Sequence, residues 1–255
     1  MDLTWKRPGL RAAVLYAVAA TVLGAVSALV CRLELTRRAA VGRRLPDGPV
    51  IVISNHTSVA DGVLLALVGR RLGRSMRMMA TGGVFRAGVL GPLLRLLGFI
   101  PVLRGTASAT HALDAAAEAL AAGEAVGLFP EGRITREEAK WPERSKTGAV
   151  RLALRTGAPV VPVAMVGAHD VVDSAEPTRL VARLTRNLLA RPIVEVAVGD
   201  PIDVRRLAGV ASLDDVSEET IRRVADDVMA VLVQHVADLR GQAAPHPVGA
   251  PRLAA

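Results

Sequence analysis

An apolar run that ends in a polar turn decides the fold: Val50-Ile51-Val52-Ile53, then Ser54-Asn55-His56-Thr57-Ser58-Val59-Ala60-Asp61. The apolar part is β-branched at every position, which predicts a buried strand. The residues after Asp61 are mostly apolar and predict a helix, with Thr57 or Ser58 as its N-cap. In open α/β sheets the ligand cleft lies beyond the carboxyl ends of the strands. We therefore expect His56 to lie beside a cleft.

His56 and Asp61 are close enough in sequence to form a hydrogen-bonded pair. Asp61 falls in the first turn of the predicted helix, where the backbone dipole favours a carboxylate. A carboxylate that reaches one imidazole nitrogen fixes the tautomer and leaves the other nitrogen as a base. A lone histidine near an aspartate is more often a surface residue beside a capped helix, so the hypothesis depends on the rest of the chain.

Predicted strands and helices alternate along the remaining sequence. Further strands are predicted at residues 76–80, 99–103, 125–129, 159–166 and 193–198. Helices are predicted at 84–97 (interrupted by Gly91-Pro92), 106–122, 146–155 and 217–240. This alternation predicts an α/β fold: a single mixed, largely parallel sheet flanked by helices.

The N-terminal region carries the longest uncharged segment, residues 14–31. At helical rise it is about 27 Å long, which is short for a membrane-spanning helix. A signal peptide is less well supported because no clean cleavage site follows. A spanning helix, a re-entrant anchor and a surface-lying anchor remain open. The arginines that follow place the next domain on the cytoplasmic face of the membrane.

Three parts of the chain are therefore expected. They are a membrane anchor with a basic flank (1–45), a globular domain (46–240) and a disordered tail (241–255). A segment at 179–189 has leucines on one helical face and arginines around it, which fits either a surface helix or a second membrane-contacting element.

Composition narrows the classes of function. The chain has 255 residues, 51% of them hydrophobic, and a net charge of +8 that suits an anionic membrane surface. Aromatic residues make up only 2%, so a nucleic-acid partner is not expected. The single cysteine excludes an intrachain disulfide, and the five histidines have no metal-ligand spacing, so no metal is predicted.

Four blocks at predicted strand ends resemble the motifs of the glycerolipid acyltransferase family, which includes the 1-acylglycerol-3-phosphate acyltransferases. They are Asn-His-Thr-Ser-Val-Ala-Asp at 55–61, Gly-Phe-Ile-Pro-Val-Leu-Arg at 98–104, Phe-Pro-Glu-Gly at 129–132 and Val-Val-Pro-Val at 160–163. Their order and spacing also match. The third block departs from the commonest family form because Arg133 follows the glycine directly. That variant resembles acyltransferases that use lysophosphatidylethanolamine.

The resemblance implies an acyltransferase that moves an acyl chain from a thioester to a lysophospholipid hydroxyl, with 1-acylglycerol-3-phosphate as the expected acceptor. His56 and Asp61 would be catalytic. The substrate-binding candidates are Arg104, Glu131, Gly132, Arg133 and Lys146. Cations suit the acceptor's phosphate. Glu131 would accept a hydrogen bond from an acceptor hydroxyl or orient an arginine. No cofactor is expected; acyl-CoA or acyl-carrier protein would be the co-substrate, and the oligomeric state is open.

Other functions remain as alternatives. A different lysolipid such as lysophosphatidylethanolamine is one alternative acceptor. A lipid esterase would use the same His-Asp pair to activate water. A catalytically silent membrane-binding protein disagrees with the intact pair, and a basic nucleic-acid binder would show salt-dependent DNA binding.

Overall fold

A computed structural model describes residues 9–36, 44–86, 88, 90–103, 106–173, 179–211, 214 and 216–244. The strands are β1 (Arg32–Thr36), β2 (Val50–Ser54), β3 (Met76–Thr81), β4 (Ile100–Val102), β5 (Ala125–Leu128), β6 (Val160–Val166) and β7 (Ile193–Val198). The helices are α1 (Leu10–Val30), α2 (Asp61–Arg71), α3 (Leu90–Leu96), α4 (Thr106–Ala121), α5 (Gly148–Thr156), α6 (Ala168–Val171), α7 (Leu180–Ala190), α8 (Val204–Ala208) and α9 (Glu218–Arg240).

The strands form one sheet in the order β1-β7-β6-β2-β5-β3-β4. β2 lies near the middle and pairs in parallel with both β5 and β6. β7 runs antiparallel to β6, and β1 runs parallel to β7. All five residues of β2 are buried, as expected for a parallel strand covered on both faces. The predicted mixed, largely parallel sheet flanked by helices is confirmed.

The start of α2 differs from the prediction. The helix begins at Asp61, and Ala60 occupies the N-cap position without a side-chain cap. Thr57 and Ser58 lie in the preceding turn, where their backbone N–H groups donate to Asp61. The N-cap prediction is wrong because the carboxylate of Asp61 satisfies these donors in place of a hydroxyl.

Edge strand β1 and the region after β3 also differ from the sequence-based prediction. β1 lies inside the segment that composition assigns to the basic flank of the anchor, and it pairs with β7. A short 3₁₀ turn, Val84–Arg86, precedes α3. Gly91 and Pro92 lie in the first turn of α3 and do not interrupt it. Proline is tolerated there because the first N–H groups of a helix have no intrahelical partner.

Two apolar clusters fill the two faces of the sheet. One lies under α4, α5 and α9, and the other lies under α2 and includes Val30 and Cys31 beside α1. The long C-terminal helix α9 has Ser217 as its N-cap, which accepts from Thr220 N–H at 3.2 Å. Residues 245–255, most of the predicted disordered tail, lie outside the described residues.

Helix α1 lies against the globular part along its length. The Tyr16 hydroxyl is 3.3 Å from the amide nitrogen of Met76 at the start of β3. Arg70 of α2 donates to Thr21 Oγ1, and Arg191 donates to the carbonyl of Ala28. Within the described residues, α1 is one helix that is long and apolar enough to cross a membrane.

Candidate active site

The turn between β2 and α2 brings His56 and Asp61 together at the carboxyl end of the central strand. His56 Nδ1 lies 3.0 Å from Asp61 Oδ2. The same oxygen accepts the backbone N–H groups of Thr57 at 2.5 Å and Ser58 at 2.7 Å. Asp61 is fully buried, so these donors replace the water that its charge would otherwise need. The pair that the sequence predicts is therefore formed in the structure.

The imidazole of His56 is fixed in orientation on its edge and on its face. Its Nδ1–H donates to Asp61, which leaves Nε2 as the basic nitrogen. The ring stacks on Phe129, which follows β5, with centroids 4.0 Å apart and planes 12° apart. The side chain is 18% exposed, so part of the ring is accessible to solvent while its neighbours hold it in place. This geometry suits a general base.

Asn55 and Ser58 hold the same turn, although the sequence motifs give them no separate role. The Asn55 amide exchanges two hydrogen bonds with the backbone of Met165 in β6, both at 2.8 Å. Ser58 Oγ donates to the carbonyl of Val172, just after α6, at 2.5 Å. Short polar side chains that bond to backbone are typical of turns at strand ends. They tie the turn that carries His56 and Asp61 to the adjacent strand and helix.

Glu131 lies beside this turn and contacts its backbone. Oε1 accepts the N–H of His56 at 2.8 Å, and Oε2 accepts the N–H of Glu143 at 2.9 Å. Burial raises the pKa of Glu131 to about 7, although these two N–H bonds favour the ionised form. Both carboxyl oxygens of Glu131 thus accept backbone N–H groups, and the spacing of the motifs does not predict these hydrogen bonds.

Gly132 and Lys146 lie next to each other at the same turn. Gly132 has a φ of 70°, a left-handed conformation that favours glycine. A Cβ on Gly132 would lie 3.1 Å from Lys146 Cε and 3.2 Å from its Nζ. The Lys146 N–H also donates to the carbonyl of Pro130 at 2.8 Å. The structure therefore brings Lys146 to the turn that carries Glu131.

Of the two predicted arginines, only Arg133 lies within the described residues, where it pairs with Glu143. The Arg133 guanidinium donates twice to Glu143 Oε2, from Nε at 3.0 Å and from Nη2 at 2.5 Å. Its side chain is 47% exposed at the rim of the turn. Arg104 lies outside the described residues.

The structure is that of an α/β protein with a hydrogen-bonded His-Asp pair at the carboxyl end of its central strand. A family model described as Acyltransferase matches residues 36–166, just over half of the chain. The chain belongs to this acyltransferase family. The family resemblance carried by the four sequence blocks is thus confirmed.

Individual relatives agree with this assignment. The chain is 29% identical over 148 residues to chloroplast 1-acyl-sn-glycerol-3-phosphate acyltransferases of Brassica napus and Arabidopsis thaliana. These matches cover 58% of this chain but only 41% and 40% of the relatives, so the chain spans about two fifths of their length. It is 30% identical over 148 residues to an uncharacterised Mycobacterium tuberculosis protein, covering 54% of this chain and 39% of that protein.

The structural comparison supports the fold. The crystal structure of the 1-acyl-sn-glycerophosphate acyltransferase PlsC from Thermotoga maritima superposes with a TM-score of 0.58 at 19% identity. The superposition covers 89% of this chain and 83% of that chain.

Proposed function

We propose that this protein transfers an acyl chain from a thioester to the free hydroxyl of a lysophospholipid. The observation that carries the proposal is the buried Asp61 carboxylate 3.0 Å from His56 Nδ1, which leaves Nε2 as a base. We further propose 1-acylglycerol-3-phosphate as the acceptor, with phosphatidic acid as the product. The names of the plant relatives support that acceptor, and the family membership supports acyl transfer.

In the proposed reaction, the acceptor's hydroxyl oxygen attacks the thioester carbonyl carbon while Nε2 of His56 takes the hydroxyl proton. The Asp61 carboxylate stabilises the imidazolium that forms. The tetrahedral intermediate then collapses by breaking the C–S bond, and the proton on Nε2 passes to the departing thiolate. The products are an ester and a free thiol, and His56 returns to its neutral form. Acyl-CoA or acyl-carrier protein would be the donor.

Cations near the turn would bind the acceptor's phosphate. Lys146 is the described cation whose side chain lies over Gly132, one residue from Glu131. Arg104, at the end of the second block, is the other candidate. A phosphate held there would bring the acceptor's hydroxyl toward His56.

We propose that α1 and α7 form one membrane-contacting surface. Large apolar side chains are exposed along α1, six of them recurring mostly every four residues, and α7 adds further exposed apolar side chains. This surface consists of Leu10, Val14, Val18, Val22, Val26 and Leu29 on α1 and Leu180, Val181, Leu188 and Leu189 on α7. Soluble monomeric proteins rarely expose an apolar patch of this extent. The arginines beside it suit anionic lipid headgroups on the cytoplasmic face of the membrane.

Helix α7 connects the proposed membrane surface to the turn that carries His56 and Asp61, the proposed catalytic turn. The Asn187 amide of α7 donates to the carbonyls of Asp170 and Val171, and Arg183 donates to the carbonyl of His169. The next residue, Val172, accepts the hydroxyl of Ser58 in the turn. Helix α7 is therefore two hydrogen-bonded steps from the catalytic turn.

The test uses the full-length protein in lipid vesicles with acyl-CoA and a panel of lysophospholipids, with products identified by mass spectrometry. His56→Ala should lower turnover by roughly 10²–10⁴-fold, the factor typical of a general base, and Asp61→Asn should also be severe. His111→Ala is the matched control because His111 is exposed on α4. The melting temperatures of His56→Ala and His111→Ala should stay close to that of wild type. Asp61→Asn should melt at a lower temperature, because the buried carboxylate accepts three hydrogen bonds.

Three results would contradict the proposal. A folded His56→Ala variant with normal turnover would remove the proposed base. Release of free fatty acid without an acceptor lipid would indicate the esterase. A product from lysophosphatidylethanolamine but none from 1-acylglycerol-3-phosphate would keep acyl transfer and reject the proposed acceptor.

A further inference from the structure

The segment from residue 131 to residue 146 holds the backbone of His56 from two sides. Glu131 Oε1 accepts the His56 N–H at 2.8 Å. The N–H of Thr135 donates to the His56 carbonyl at 2.7 Å. The catalytic histidine is therefore fixed by this loop as well as by strand β2, and its position depends on the loop's conformation.

Glu143 ties the two sides of the loop together. Its N–H donates to Glu131 Oε2 at 2.9 Å. Its Oε1 accepts the N–H of Arg136 at 2.6 Å and lies 3.4 Å from the hydroxyl of Thr135. Its Oε2 accepts both donors of the Arg133 guanidinium. One residue thus contacts both Glu131 and Thr135, the two residues that hold the His56 peptide.

The Glu143 carboxylate is suited to this role at neutral pH. The N–H of Arg136 and the guanidinium of Arg133 lower the pKa of Glu143. An ionised carboxylate accepts hydrogen bonds on both oxygens and pairs with arginine in a bidentate geometry. The Glu143 side chain is 22% exposed, less than half the exposure of its partner Arg133 at 47%. The loop is therefore held together by the ionised carboxylate of Glu143.

We propose that Glu143 is a positioning residue for His56, and that Arg133 serves this loop in place of the substrate contact that the sequence predicts. Only the kinetic test of this inference depends on the proposed function. It also accounts for the unusual third block, because an arginine directly after Gly132 lies where Glu143 can hold it. Lys146 and Arg104 would then bind the phosphate of the acceptor.

Hydrogen exchange on the full-length protein without substrate tests the positioning role. Glu143→Ala keeps the N–H that donates to Glu131 but removes the carboxylate that ties this N–H to the rest of the loop. The backbone amides of His56 and Thr135 should therefore exchange about tenfold faster, since local opening becomes easier. Peptides from β2, β5 and β6 should keep their protection. Glu138→Ala is the matched control because Glu138 is exposed in the same loop. Unchanged exchange at both amides, or faster exchange spread evenly over the molecule, overturns the proposal.

Kinetics test the role of Arg133. Glu143→Ala and Arg133→Ala should each lower kcat about tenfold and leave the KM for the acceptor unchanged within about twofold. Because the two residues act through one contact, the double variant should have a kcat no lower than that of either single variant. A raised acceptor KM in Arg133→Ala with kcat unchanged would assign this arginine to the phosphate and overturn that part. If Glu143→Ala does not fold, Glu143→Gln removes the charge while keeping an acceptor for Arg136 N–H.

The two tests separate this inference from the proposed function. If the wild-type protein transfers no acyl group to any lysolipid, the proposed function fails. The exchange experiment still decides whether Glu143 holds the His56 peptide, because it needs no substrate.

Discussion

His56 is held at its imidazole edge, its ring face and its main-chain amide by three different parts of the chain. Asp61 supplies the edge contact from α2, and Phe129 supplies the face from the end of β5. Glu131 binds the amide from the following loop. In the proposed reaction, a base held in this way would lose little entropy on reaching its reacting geometry, which is how preorganised sites gain rate.

The pH dependence of stability tests the state of Glu131. Its pKa rises from 4.5 to about 7 on folding, so the protonated carboxyl stabilises the folded protein. That contribution is complete below about pH 4.5 and is lost as the pH rises through about 7. Glu131→Gln is neutral at every pH and loses one acceptor oxygen, a pH-independent cost. The variant's melting temperature relative to wild type should therefore increase between pH 5 and pH 8.

Thermal unfolding across that pH range measures the difference, with Glu138→Gln as the control. The control should follow the wild-type curve because Glu138 is exposed. Parallel curves for Glu131→Gln and wild type would show that Glu131 keeps its ordinary pKa in the folded protein.

The sequence predicts the His56–Asp61 pair but not the contacts that support it. The two residues are five positions apart in sequence, and the end of a strand, a turn and the start of a helix constrain how they meet. The contact between Glu131 and His56 joins residues 75 positions apart. The path from Glu131 to Lys146 has no periodicity, so its hydrogen bonds depend on tertiary packing that local patterns do not encode.

At the scale of elements, strands β2, β6 and β7 are well predicted because runs of β-branched residues are typical of buried strands. The predicted strand at residues 193–198 agrees with β7 at both ends. Edge strand β1 was missed because its exposure alternates and its sequence carries charge beside an arginine-rich flank. Its partner in β7 is far away in sequence, so pairing decides its conformation.

Exposed apolar residues on α7 test the proposed membrane surface. Val181 and Leu189 are 76% and 92% exposed, so replacing both with serine should not change the melting temperature. Vesicle binding should fall about tenfold or more, because two apolar side chains no longer enter the lipid. Leu96→Ser on α3 is the control, since Leu96 is 50% exposed near the opposite edge of the sheet. Vesicle co-sedimentation measures both variants.

Equal binding of the α7 variant and wild type would remove α7 from the membrane surface. If size-exclusion chromatography showed that the same variant lost a dimer while vesicle binding stayed constant, the exposed patch would instead be an interface between two copies.

At the scale of the whole molecule, the contacts of α1 decide how the protein meets a bilayer. A 21-residue helix is about 31 Å long, enough to cross the hydrocarbon core. However, Thr21 near the middle of α1 contacts the guanidinium of Arg70. If α1 spanned the bilayer in this arrangement, that arginine would enter the hydrocarbon at a cost of roughly 2.5–3.5 kcal/mol. We therefore expect α1 to lie in one leaflet, with the globular part beside it.

This expectation is tested by the side of the membrane on which the two ends of α1 lie. Gly9 precedes α1 and has open space for a Cβ, so Gly9→Cys should be tolerated. Both cysteine variants are made in a Cys31→Ala background, with the globular part outside sealed vesicles. Asp47→Cys is the reference because Asp47 is exposed on the globular part. A membrane-impermeant maleimide should label Gly9→Cys as fully as Asp47→Cys. Both ends of α1 then lie on the domain's side, as the contacts of Tyr16, Thr21 and Ala28 require. Labelling of Gly9→Cys only after detergent is added would show that α1 spans the bilayer and leaves these contacts.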